Sequence, residues 1–97
     1  MITPGRRVQP DADGLRYWLM RPCEYGRDPA SGVWYGRTPN GHLVNLAAHQ
    51  VTEHNDGTVT VTPSIGVKSS RYSEEYDTMV TFTVWHGFLE HGHWRQA

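Results

Sequence analysis

Residues 58–67 read Thr58-Val59-Thr60-Val61-Thr62-Pro63-Ser64-Ile65-Gly66-Val67 and form the most regular stretch of the chain. A β-strand turns successive side chains to opposite faces, so strict alternation of threonine with valine predicts a half-buried strand. Val59, Val61, Ile65 and Val67 share one parity and are expected to face inward. Pro63 has no backbone donor, which puts this strand at a sheet edge or interrupts its pairing with a bulge. Just upstream, Asn55-Asp56-Gly57 reverses the chain, because Asp and Gly accept the positive φ that tight hairpins require. Downstream, residues 78–84 alternate again, with Val80, Phe82 and Val84 on one side. Extending that parity adds His86 and Phe88 to the apolar face, unless Gly87 introduces a bulge, and sets Trp85 and Leu89 opposite, which predicts a strand covered on both sides. The two segments are expected to pair antiparallel with Val59, Val61, Phe82 and Val84 inward. Between them, residues 69–77 read as a polar loop longer than a hairpin needs.

Outward from this hairpin the signals weaken. Residues 1–14, rich in Pro, Gly and charge, are expected to be an irregular N-terminal arm, and residues 15–97 a single β-rich domain. Residues 15–20 read as a first strand closed by Pro22, and residues 23–32 as a loop. Val33-Trp34-Tyr35 is a short β-prone run, followed by a turn at Thr38-Pro39-Asn40-Gly41. Leu43, Leu46 and Ala47 have helical spacing with Val51 one turn on, which predicts one short helix near 43–50. His91-Gly92 makes a last turn and His93-Trp94 a last strand. The expected fold is mainly β, a small twisted antiparallel sheet or open barrel of about six short strands.

Composition narrows the function by exclusion. Of 97 residues, 37% are hydrophobic and 20% charged, with four Trp among the aromatics, too aromatic for a disordered tail and too polar for a membrane span. A formal net charge of −1 argues against a DNA-coating protein and against an acidic nucleic-acid mimic. The one cysteine, Cys23, cannot build a disulfide framework and suits a reducing compartment. Met-Ile-Thr-Pro-Gly-Arg-Arg at the start carries no apolar core of a secretory signal's length, so the expected location is cytoplasmic.

Two stretches carry a resemblance. Asp56-Gly57-Thr58-Val59-Thr60-Val61-Thr62-Pro63-Ser64-Ile65 and Trp85-His86-Gly87-Phe88-Leu89-Glu90-His91-Gly92-His93-Trp94 together resemble a family of short uncharacterised proteins of phages, prophages and some bacteria. The similarity reaches back to Trp34-Tyr35-Gly36-Arg37 and Asn40-Gly41-His42-Leu43. It implies a phage-type context, with the host cytoplasm as location, and no activity. Similar proteins in the wider group carry Cys knuckles that suggest a zinc site. Those cysteines are missing here, leaving only His86 and Cys23 to stand in.

Candidate chemistry is sparse. The six histidines, His42, His49, His54, His86, His91 and His93, show no C-x-x-C, H-E-x-x-H or H-x-x-x-H spacing, so no metal site is assigned. His86, placed by parity among apolar residues, needs hydrogen-bond partners for its ring and is a candidate binding residue. Cys23 lies beside Glu24, a neighbour that raises a thiol pKa, and Ser64 is not on a nucleophile elbow. No catalytic residue and no cofactor are assigned. Arg37, Lys68, Arg71 and Arg95 with Trp34, Tyr35, Tyr72 and Trp94 are the candidates for a basic-aromatic surface facing nucleic acid or a nucleotide.

The expected function is therefore non-enzymatic: a phage-type accessory protein that binds a macromolecular partner, a host or phage protein first. A host-directed inhibitor of a bacterial defence system is its concrete form. A small-molecule or nucleotide binder using His86, Arg37 and aromatic residues is one alternative, and a structural zinc protein the other. The candidate binding residues are Arg71, Tyr72 and Tyr76 in the 69–77 loop, Arg37 and Asn40 at the 38–41 turn, and His86. Whether the chain is a monomer or a dimer is left open.

Overall fold

A computed structural model describes residues 2–97. It contains nine strands: β1 (Ile2–Pro4), β2 (Arg6–Arg7), β3 (Glu24–Arg27), β4 (Trp34–Arg37), β5 (Leu43–Asn45), β6 (Gln50–Glu53), β7 (Val59–Ser73), β8 (Thr78–Glu90) and β9 (His93–Gln96). They form a five-stranded sheet in the order β1-β9-β8-β7-β6 and a four-stranded sheet in the order β2-β3-β4-β5. All pairings are antiparallel except β2 with β3. The fold is mainly β, as the alternation implied, but it has two sheets, does not close into a barrel, and has nine strands rather than about six. Among the described residues, no helix is long and apolar enough to cross a membrane.

The core lies between the sheets. Tyr25, Trp34, Val44 and Leu46 from one meet Val59, Val61, Ile65, Trp85, Leu89 and Trp94 from the other. At its centre is Trp94, fully buried, whose indole meets Trp85 edge-on with ring centroids 5.7 Å apart. The Trp94 Nε1–H donates to the carbonyl of Cys23, 2.9 Å away. A buried indole N–H left unpaired would cost about 1–3 kcal/mol, so this bond fixes the ring's orientation across the two sheets. Gly36 packs closely beneath it: a Cβ there would sit 3.0 Å from the Trp94 ring, tighter than an ordinary contact.

Several expectations are corrected. Residues 1–14 are not irregular throughout, since β1 pairs with β9 in one sheet and β2 with β3 in the other. Gly5 makes the crossing between them, its N–H bonded to the Gly92 carbonyl at 2.8 Å. Arg7 then reaches back to Glu53 and to the Gly57 carbonyl, both at 3.1 Å, and lies over the Trp34 ring. Residues 15–20 form a 3-10 turn (Tyr17–Leu19) rather than a strand, and the supposed 23–32 loop holds β3. The helix near 43–50 is absent. Val44 pairs with Gly36 in β5, and the Asn45 side chain accepts the Ala47 N–H to start a turn closed by His49 N–H on the Leu46 carbonyl. Tertiary pairing with β4 overrides the weak helical spacing.

The most consequential correction concerns β8. Val67 pairs with Trp85 and Lys68 with Thr83, so Val84 is an extra residue in the ladder, a β-bulge. It reverses the side-chain parity partway along the strand. The inner face passes from Val80 and Phe82 to Trp85, Gly87 and Leu89, and His86 and Phe88 turn outward. Val59 and Val61 are buried as expected; Phe82 is 41% exposed because the strand has by then left the core. A second irregularity lies between Val61 and Ile65, where β7 carries extra residues around Pro63, the interruption that its missing N–H implied.

These contacts predict opposite outcomes for two glycines on paired strands. A Cβ at Gly87 would lie 2.3 Å from the Arg95 carbonyl and 2.6 Å from the Trp85 ring, whereas one at Gly66 would meet nothing within 4 Å. Gly87→Ala should lower stability by about 1–3 kcal/mol through overpacking. Gly66→Ala should be neutral or stabilising by up to about 1 kcal/mol, because alanine loses less backbone entropy in a strand. Urea denaturation of both variants checks the pair.

Candidate functional site

The strands β7 and β8 are far longer than the core they cover. Residues 68–73, at a rise of roughly 3.3 Å each, carry the hairpin about 20 Å past the bulge. The molecule measures 50 × 31 × 21 Å with a radius of gyration of 14.7 Å. A compact chain of this length has a radius near 12.5 Å, and the difference is this arm. The polar loop expected at 69–77 is thus corrected to paired strands with a tight turn between Ser73 and Thr78.

Both faces of the arm are open. Counting out from the bulge, Ser69, Arg71, Val80 and Phe82 continue the inner face, and Lys68, Ser70, Tyr72, Met79, Thr81 and Thr83 the outer one. Tyr72, Tyr76 and Met79 are 55%, 69% and 60% exposed. The Arg71 guanidinium lies over the Phe82 ring, 5.6 Å from its centroid. At the tip the Tyr72 hydroxyl donates to the Asp77 carboxylate, whose backbone takes the left-handed φ of 50° that the turn requires. That bond, with some desolvation, holds the Tyr72 phenol above its ordinary pKa, because the carboxylate acceptor favours the protonated form. Glu74, Glu75 and Asp77 make the tip acidic.

The candidate residues fall into two groups joined at the arm's base. Arg71, Tyr72 and Tyr76 are on the arm. Asn40 accepts a hydrogen bond from the buried Thr38 hydroxyl and donates from Nδ2 to the carbonyl of Val84, the bulge residue, at 3.1 Å. Arg37 Nη1 donates to the Gly41 carbonyl at 2.8 Å and its Nη2 to that of Trp18 at 3.4 Å, so it braces the same turn. His86 is not in the apolar core: it is exposed on the outer face, its Nε2 hydrogen-bonded to Ser64 Oγ at 3.0 Å. Met79 and Phe82 are the arm residues that sequence reasoning missed. They were assigned to a covered strand, and only the Val84 bulge and the strand lengths reveal otherwise.

Other candidates are dispersed. Trp34 and Trp94 are core, and Arg95 pairs with Glu90 over the Phe88 ring, so the expected basic-aromatic surface is not assembled. His54 and His91 stack at 3.9 Å between centroids, and Thr60 Oγ1 lies 2.7 Å from His54 Nε2. Among the described residues, no three His, Cys, Asp or Glu side chains converge as a metal site would require. Burial, rather than Glu24, pushes the Cys23 thiol up. Three shallow clefts, of about 140, 220 and 320 Å³, are lined by none of Arg37, Asn40, Arg71, Tyr72, Tyr76 or His86. No family model matches the chain, and no curated protein or solved structure is significantly similar to it.

The tip geometry makes a prediction of its own. In a titration followed through the tyrosine ring resonances, Tyr72 should ionise above the ordinary range for a phenol. Asp77→Asn should bring it down, because an amide oxygen is a weaker acceptor than a carboxylate and the hydrogen bond that favours the protonated phenol is weakened.

Proposed function

We propose that this chain is a non-enzymatic binding protein that engages another protein through the β7–β8 arm. The observation that carries the reading is the exposure of Tyr72, Tyr76, Met79 and Phe82 on the outer part of the hairpin, residues 68–83, which contributes no residue to the core cluster. Tyrosine and arginine are enriched at interaction hot spots, and a two-stranded hairpin alone is marginally stable in water. A partner that covers it supplies what the rest of the fold does not. The acidic tip favours a protein surface with an apolar recess rimmed by basic groups, and it disfavours phosphate-rich nucleic acid. The phage-type accessory role rests on the sequence resemblance, with a host or phage protein as partner and inhibition of a bacterial defence system as the concrete form. A fold hosts many functions, so that form stands on analogy.

The test is affinity capture from host lysate with the full chain. A specific protein should be retained by the wild type and lost with the Tyr72→Ala, Tyr76→Ala double variant, while Leu19→Ala, on a separate exposed apolar patch, keeps it. Undiminished capture by the double variant, with an unchanged circular dichroism spectrum, would move the binding surface elsewhere.

A further inference from the structure

We propose that two copies of this chain associate through the free edge of β8, joining their arms into one four-stranded antiparallel sheet. On one side β8 is paired with β7 along the arm; on the other, β9 reaches only residues 87–90. The His86 carbonyl accepts the Ala97 N–H and the Val84 carbonyl accepts Asn40 Nδ2, and there the cover ends. Among the described residues, no strand lies beside residues 78–83 on that side. Their backbone groups on this edge form an open ladder.

Edges of this kind are usually blunted by charge, proline, a bulge or short length. The edge of β7 is so protected, with Lys68 and Arg71 along it. The edge of β8 is not: Thr78-Met79-Val80-Thr81-Phe82-Thr83 has no charged residue and no proline, and three of its members are threonines. The Val84 bulge lies at its inner end and leaves the outer run regular. An identical strand is the occupant this edge fits. Antiparallel pairing about a two-fold axis normal to the sheet keeps inner face with inner face and brings no like charges together. Centred on Thr81, it sets Val80 of each copy opposite Phe82 of the other, a β-branched–aromatic pair of the stabilising kind. The symmetry closes at two copies, because each protomer offers one such edge. The inference rests on the backbone edge and its lack of charge. It shares Met79 and Phe82 with the partner reading but does not depend on Tyr72 or Tyr76.

Sedimentation velocity of the full chain over a concentration series tests it. The wild type should show a reversible monomer–dimer equilibrium. Thr81→Lys, which places two ammonium groups face to face at the axis, should weaken association tenfold or more, and Thr83→Lys, in the same edge, should also weaken it. Ser70→Lys, on β7, should leave it unchanged. All three positions are exposed, and far-UV circular dichroism checks that each variant folds. A wild type that stays monomeric, dimers indifferent to both threonine variants, or dimers lost with Ser70→Lys would each overturn the proposal. The Tyr72→Ala, Tyr76→Ala variant should still dimerise, so partner capture and self-pairing fail separately.

Discussion

The buried indole of Trp94 holds the two sheets in one relation. It belongs to β9 of the larger sheet, yet its only polar atom donates to Cys23, the residue that leads into β3 of the smaller one. Its ring lies over Gly36 and against Trp85, and Gly5 passes close to its nitrogen. Small residues therefore pack closely on both sides of the ring, one in the middle of β4 and one where the N-terminal segment changes sheets. With so few residues to bury, a large aromatic plate with one satisfied hydrogen bond is an efficient spacer between sheets. The remaining core residues pack around a distance that this side chain sets.

From that constraint follows the division of the molecule into a packed end and an arm. The smaller sheet has strands of two to four residues and can face only a short length of β7 and β8. Inner-face positions beyond the bulge have nothing opposite, so Phe82 is exposed although it lies on the same face as the buried Trp85 and Leu89. Serine and threonine fill many of the intervening positions, which keeps a two-sided hairpin soluble without a second layer. The exposed aromatic residues and methionine on it are not explained by solubility, nor by the core.

The long alternating runs were legible in the sequence because period-two patterning is a local property. The run from Val59 to Val67, the Asn55–Gly57 reversal, the 38–41 turn and the interruption at Pro63 all appear where residue chemistry placed them. What was not legible depended on partners distant in the chain. β1 and β2 are too short to show alternation and exist because β9 and β3 receive them. The Val84 bulge was marked only in part: the adjacent apolar residues Val84 and Trp85 break the alternation, but pairing with β7 decides which residue is extra, so a parity carried through it exchanged the faces of His86 and Trp85. The 43–50 segment failed in the opposite sense, since a weak helical spacing was outweighed by pairing of Val44 with Gly36. Arg71, Tyr72 and Tyr76 were found as candidates because residue type suffices for that, while Met79 and Phe82 needed the geometry.

The same geometry changes what Arg37 and Asn40 mean. As sequence features they formed a second candidate surface; in the fold they brace a turn whose Asn40 holds the carbonyl of the bulged residue. A bulge increases local twist and bends its strand, so the residue that pins a bulge also sets the direction in which the strand leaves. The arm departs from the core at Val84. Its aim is therefore coupled to the 38–41 turn through one hydrogen bond from Asn40, and that turn is in turn closed by the buried Thr38 hydroxyl, which also accepts the His42 N–H. The two candidate surfaces are one mechanical unit: one presents side chains to a partner, and the other determines where in space they are presented.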